Sequence, residues 1–164
     1  MIKLSELTSK DAPISGKLRI HYSRGPIEKL EIKNQMEYSD DKPRGFWYGF
    51  GREWIDYVEN TRGLSHKRGK YIYFVKVHDL KRVLQLKDYN ELVRFSTQYG
   101  NELLIYWNRV AKDYSGIEIN PHCSVRGANQ LEWYKNWDVA SGCMWDLNNT
   151  STKLIFPRQN DDKT

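Results

Sequence analysis

The stretch GKLRIHYSRGPIEKL, Gly16 to Leu30, ends a short strand-like run in His21, Tyr22 and Ser23. An imidazole in that place has two readings: it closes a strand, or it makes the first contact to a nucleotide. A second chemistry-bearing stretch is RGFWYGFG, where Trp47 and Tyr48 stand between glycines. Aromatic faces stack on bases, sugars and nicotinamide rings, and they also fill cores. The chain is rich in them, with six Trp, eleven Tyr and five Phe among 164 residues. A third stretch, TRGLSHKRGK, holds Arg62, Lys67, Arg68 and Lys70 with no acid. It reads as a solvated hairpin connection or as a contact for phosphates. The net charge of +5 favours anionic partners such as nucleotides, RNA or DNA.

Several other chemistries lack their signatures. The glycines of GFWYGFG carry aromatic spacing, and no GK[ST] helix start follows them, so neither type of Gly-rich phosphate loop is present. His21, His66, His78 and His122 show no metal-ligand spacing, HExxH is absent, and Cys123 and Cys143 form no CxxC. No metal is therefore expected. A GxSxG elbow is also missing, which argues against a serine hydrolase of that class. Two unpaired thiols suit a reducing compartment. The start MIKLSELTSKDAP has no long apolar run, so neither a signal peptide nor a membrane span is expected, and the reading is cytoplasmic.

The elements that must position these residues follow from periodicity and punctuation. Leu18, Ile20 and Tyr22 alternate with polar residues after Pro13 and Gly16, which predicts a first strand over KLRIHY. RGFWYGFG is a short aromatic strand, and REWIDYVEN follows as a helix with Trp54, Ile55 and Val58 at helical spacing. YIYFVKV and RVLQL read as strands. Asp88, with Glu91 three residues on, opens a helix that carries Leu92, Val93 and Tyr99 along one side and stops at Gly100. NELLIYWNRVAKDY predicts a second long helix burying Leu103, Leu104, Trp107, Val110 and Ala111. GIEI is a strand, a loop follows Pro121, SGCMWDL is the final strand, and PRQNDDKT is a frayed tail. No linker divides the chain, so residues 1–164 form a single domain. Without regular βαβ alternation the class is α+β.

The order RIHYS, KPRGFWYGFGREWIDYV, YIYFVKV and DYSGIEI resembles the mono-ADP-ribosyltransferases, in particular their branch with a His–Tyr–Glu type of triad. Their first strand commonly reads Tyr-His-Gly-Thr/Ser, and their second motif reads Gly-Ile-Tyr-Phe before a short helix. A Tyr-Asp-Gly-Ile strand recurs nearer their C-terminus. The resemblance covers residues 17–147. It implies an ADP-ribosyltransferase-like fold of split β-sheets, two small sheets with flanking helices, and NAD in the cleft between them. His21 takes the place of the histidine that binds the adenosine-side ribose, and Ser23 that of the family's Thr or Ser. Tyr22 replaces the usual Gly, a bulky residue where backbone contacts hold the nicotinamide amide. Trp47 stands at the family's Tyr position with Tyr48 beside it, and either face suits nicotinamide. For the catalytic acid, Glu118 in SGIEI ranks first. Glu132 has the Gln-x-Glu form in QLE, and Asp138 and Ser141 sit just before the final strand, where many members carry the glutamate.

The chemistry needs few groups. Nicotinamide leaves as a neutral ring, so no general acid is required, unlike ordinary glycoside hydrolysis. One carboxylate near the ribose stabilises developing positive charge. The same residues also have plain structural readings: a strand-end His21, a core role for one of Trp47 and Tyr48 because strands alternate faces, a solvent-facing Glu118, and a turn-capping Asp138. Arg19, Arg24 and Arg44 flank the motifs and are either pyrophosphate contacts or solvated. The resemblance implies NAD as a substrate and a macromolecular acceptor, with nucleic acid favoured over protein. Toxins and phage–host conflict factors are common among small members, and an antitoxin or inhibitor protein is then a further partner. The rival readings are a non-catalytic RNA- or DNA-binding module and an inactive transferase-like interaction domain.

Overall fold

The computed structural model of the chain describes residues 17–37 and 41–157. Pro13, Gly16 and the tail from residue 158 lie outside them. Inward Ile20 and Tyr22 alternate with more exposed neighbours to give β1, Arg19–Ser23. The aromatic run is β2, Phe46–Phe50, which turns at Gly51 into α1, Glu53–Asn60. Gly51 has φ 58°, a left-handed conformation that glycine adopts without steric cost. The 61–70 loop contains one short turn of 3-10 helix, Ser65–Lys67, and leads into β3, Tyr71–Val77.

β4, Val83–Leu86, precedes α2, Tyr89–Tyr99. Here the predicted cap forms: Asp88 accepts from the Glu91 N–H at 2.9 Å, and Glu91 accepts from the Lys87 N–H at 2.6 Å. The buried side of α2 is Leu92, Phe95, Ser96 and Tyr99, while Val93 is exposed. The second helix, α3, is shorter than predicted, Trp107–Asp113. Residues 101–106 turn back instead, with the Asn101 N–H donating to the Leu104 carbonyl at 3.0 Å and the Tyr106 N–H to the Tyr99 carbonyl at 2.8 Å. Leu103 is exposed, and Ile105 bridges back to Gly100.

β5, Gly116–Ile119, and β6, Ser141–Met144, follow, with β6 ending before Trp145. A seventh strand that the sequence reading missed, β7, Thr150–Phe156, closes the described chain. The seven strands hydrogen-bond in the order β4-β5-β6-β2-β1-β3-β7, with β4–β5 parallel and the other pairs antiparallel. The protein is thus mixed α+β, with a seven-stranded sheet and three α-helices among the described residues.

Two small sheets were expected, and one hydrogen-bonded sheet is found, but its centre is thin. β1 and β2 pair only at Arg19↔Phe50 and Ile20↔Gly49. By contrast, β1 pairs with β3 over all five of its residues, and β2 pairs with β6 over Phe46–Gly49. On one side of this junction, Ile55 and Val58 of α1 pack against Ile20, Tyr22 and Ile72. Burying each stabilises the fold by roughly 1.5–3 kcal/mol and fixes α1 over β1 and β3. On the other side, α2 and α3 pack against Ile117, Ile119, Cys143 and Trp145. The alternate residues of the central strands, including Tyr48, Phe50, Val75 and Met144, form a separate cluster.

Candidate functional site

The peptide groups of one strand point alternately to its two neighbours. The Leu18 carbonyl accepts from Gly51 on the β2 side, at 2.8 Å, and the Ser23 carbonyl accepts from Lys70 on the β3 side, at 2.8 Å. Tyr22, an even number of residues from Leu18, therefore turns its N–H and C=O towards β2, beyond the last β1–β2 pair. The Trp47 carbonyl faces the same opening and accepts from His21 Nδ1–H at 2.6 Å. That bond leaves Nε2 as the acceptor nitrogen of the neutral ring. Burial pushes the His21 pKa down, opposed by this bond to Trp47. The imidazole also stacks on Phe46, with centroids 4.3 Å apart.

A cavity of about 260 Å³ opens at this place. It is lined from β1 by His21 and Tyr22, from β2 by Trp47 and Tyr48, and from the approach to β6 by Asp138 and Ser141. Six residues singled out in the sequence are thus brought together. Strand alternation separates the two aromatics. Trp47 packs against Trp137 with centroids 5.0 Å apart, while buried Tyr48 sends its hydroxyl to Glu118 at 2.7 Å. Tyr22 keeps its bulk on α1: its ring is buried among Ile55 and Val58, and its hydroxyl donates to Glu59 at 2.8 Å.

Six further lining residues were not expected in the site: Ile20, Gly49 and Val139, and, with side chains that can contact a ligand, Lys42, Trp54 and Lys67. In the sequence Trp54 reads as part of an apolar helix face, and Lys67 as part of a basic loop that is either solvated or a phosphate contact. Lys42 Nζ lies 5.3 Å from the Trp47 ring centroid, and Lys67 Nζ lies 5.7 Å from that of Trp54. Each cation thus faces an aromatic wall. Burial lowers the Lys42 pKa, and the charge of Asp138 opposes that effect. Asp138 is the one acid among the lining residues, and its charge reaches the Tyr57 hydroxyl. Burial and then Asp138 push the Tyr57 hydroxyl up. Ser141 is half-buried and donates to the Val139 carbonyl at 3.1 Å.

The remaining candidates lie elsewhere. Glu118 is only 4% exposed and is held by Arg19 Nε at 2.5 Å, Arg19 Nη2 at 3.1 Å, Tyr48 at 2.7 Å and Gln85 at 3.0 Å. Both of its oxygens are engaged, which is how a buried carboxylate is tolerated. Arg19 is half-buried and committed to this pair, away from the cavity lining. Glu132 pairs with Lys135 at 2.5 Å on the surface. Ser23 donates to the Gly25 carbonyl at 2.5 Å and is not among the lining residues.

Chemically, the cavity offers flat aromatic walls, two cations, one carboxylate, a neutral imidazole and a strand peptide group beyond the last β1–β2 pair. No three His, Cys, Asp or Glu residues group as metal ligands among the described residues. Cys123 and Cys143 are free thiols, and burial pushes the Cys143 thiol well up. No described helix is long and apolar enough to cross a membrane. Comparison with protein-family models, with curated proteins and with solved structures finds no match to this chain.

Proposed function

We propose that the chain is a mono-ADP-ribosyltransferase with an ADP-ribosyltransferase-like fold, acting in the cytoplasm on NAD and a macromolecular acceptor. The observation that carries this reading is the convergence of His21, Tyr22, Trp47, Tyr48, Asp138 and Ser141 on one cavity at the β1–β2 junction. These residues are spread over some 120 positions of sequence, and the family resemblance singles them out together with Ser23, Glu118 and Glu132, which lie elsewhere.

Tyr22 supplies an N–H donor and a C=O acceptor on one residue, the complement of a primary carboxamide. Trp47 provides the ring face beside it, and Lys42 and Lys67 counter phosphate charge. Asp138 faces the reacting ribose and stabilises the positive charge that develops as the nicotinamide–ribose bond breaks. The bonding pair leaves with nicotinamide, the acceptor's nucleophile forms the new bond to the ribose carbon, and its proton passes to Asp138 or water. Asp138 replaces Glu118 as the preferred acid because Glu118 is already fully hydrogen-bonded away from the cavity.

The test is incubation of the purified chain with labelled NAD and a cell extract separated into protein, RNA and DNA. Label should appear in one fraction. It should fall roughly 100- to 1,000-fold with Asp138→Asn, the usual effect of removing one electrostatic stabiliser. Glu132→Gln should leave it unchanged. If no nicotinamide is released with any fraction, the enzyme reading is wrong, and the rival reading of a basic nucleic-acid-binding module takes its place.

A further inference from the structure

Beside the cavity mouth lies the 61–70 loop, whose Lys67 is one of the lining residues. Arg62 and Lys70 of this loop are exposed and form no ion pair with any described residue. Arg68 pairs with Glu59 at 3.7 Å. Lys67 sits over Trp54, and Trp54 stacks on Tyr57 with centroids 5.7 Å apart and ring planes within 26°. Tyr57 in turn lies within electrostatic reach of Asp138, the proposed catalytic acid, which lines the same cavity as Trp54 and Lys67. The basic loop thus reaches the cavity through Lys67, which shares its lining with Trp54 of the aromatic pair and with Asp138.

We infer that this rim binds single-stranded nucleic acid and that the acceptor is a nucleobase or sugar hydroxyl delivered from such a strand. This inference rests on the transferase reading. Cations spaced along a loop track a phosphate backbone, and flat aromatic faces stack unpaired bases with little regard to sequence. An acidic peptide would engage the cations and leave the Trp54–Tyr57 pair uncovered. A base held inside a duplex cannot reach a walled cavity without leaving its stack, so an unpaired strand is the favoured form.

The experiment is fluorescence anisotropy with a labelled oligonucleotide of about 12 nucleotides, single-stranded and duplex, across a salt series, with polyglutamate as competitor. Nicotinamide release from NAD is followed in parallel. Expected is tighter binding of the single strand than of the duplex. The Arg62→Ala/Lys70→Ala double variant should weaken binding by roughly tenfold at low salt, and flatten the salt slope by about 1.4. Both residues lie outside the proposed catalytic groups, so the double variant should release nicotinamide like the unaltered chain when no acceptor is present. Trp54→Phe should keep most of the affinity.

Absence of oligonucleotide binding, equal binding by the double variant, or displacement by polyglutamate as readily as by nucleic acid would overturn the inference. So would transfer of label to protein alone, which would leave the transferase reading intact. Strand binding with no nicotinamide release from NAD under any condition would remove the transferase reading and the acceptor role with it. The rim would then stand as a binding surface only.

Discussion

Glu118 and Asp138 look alike in one-letter code and have opposite surroundings. Glu118 lies in a strand whose four residues are all buried, and three side chains from different elements close on its two oxygens. Removing it leaves the half-buried Arg19 guanidinium without its counter-charge. Glu118→Ala should therefore cost about 3–5 kcal/mol in urea unfolding, while Glu118→Gln should cost less. A loss below about 1 kcal/mol would show that the cluster does not support the fold. His21 makes a second residue-scale prediction. Its folded pKa lies below the ordinary 6.5, so the folded state binds a proton less readily than the unfolded chain. Its contribution is complete above pH 6.5 and is lost as pH falls below that value towards the folded pKa. Thermal unfolding should show this decline, and His21→Gln should remove it. The lone acid in GIEI was visible in the sequence. The donors around it were not, because Arg19 is 99 positions away and Gln85 is 33.

At the scale of elements, the centre of the sheet depends on close approach. A Cβ on Gly142 would lie 2.5 Å from the buried Tyr48 ring, which has no free space to retreat into. Gly142→Ala should cost about 1–3 kcal/mol and pull the Tyr48 hydroxyl off Glu118, read as a lower urea midpoint. An unchanged midpoint would mean that the ring can give way. Most elements were legible where local chemistry decides them: the Asp88 cap of α2, the glycine-bounded aromatic β2, and the period-two run of β3. Two were not. The apolar spacing of NELLIYW mimics a helix, but the segment turns back on the end of α2, with Tyr106 bonded to Tyr99 and Ile105 bridged to Gly100, and α3 starts only at Trp107. TSTKLIF has β-branched residues, yet it becomes β7 only through its pairing with β3, a partner some 80 positions earlier.

For the molecule as a whole, the consequential feature is a single sheet whose middle is held by two residue pairs. Helical layers cover either side of that junction, and the cavity occupies the interval between them. Of the nine residues that the family resemblance singles out, six line this cavity, and Ser23, Glu118 and Glu132 do not. The sequence did not indicate that Trp54, Lys42 and Lys67 close the same space, since their roles depend on how α1 and its following loop settle on the sheet. The central claim, that NAD enters this cavity, is tested most directly by the indole N–H resonances of the six tryptophans in an NAD titration. Trp47 and Trp54 should shift, with Trp137 following through its contact with Trp47, while Trp107 and Trp133, buried in the α2–α3 core, stay in place. No shifts, or shifts confined to the buried pair, would contradict it.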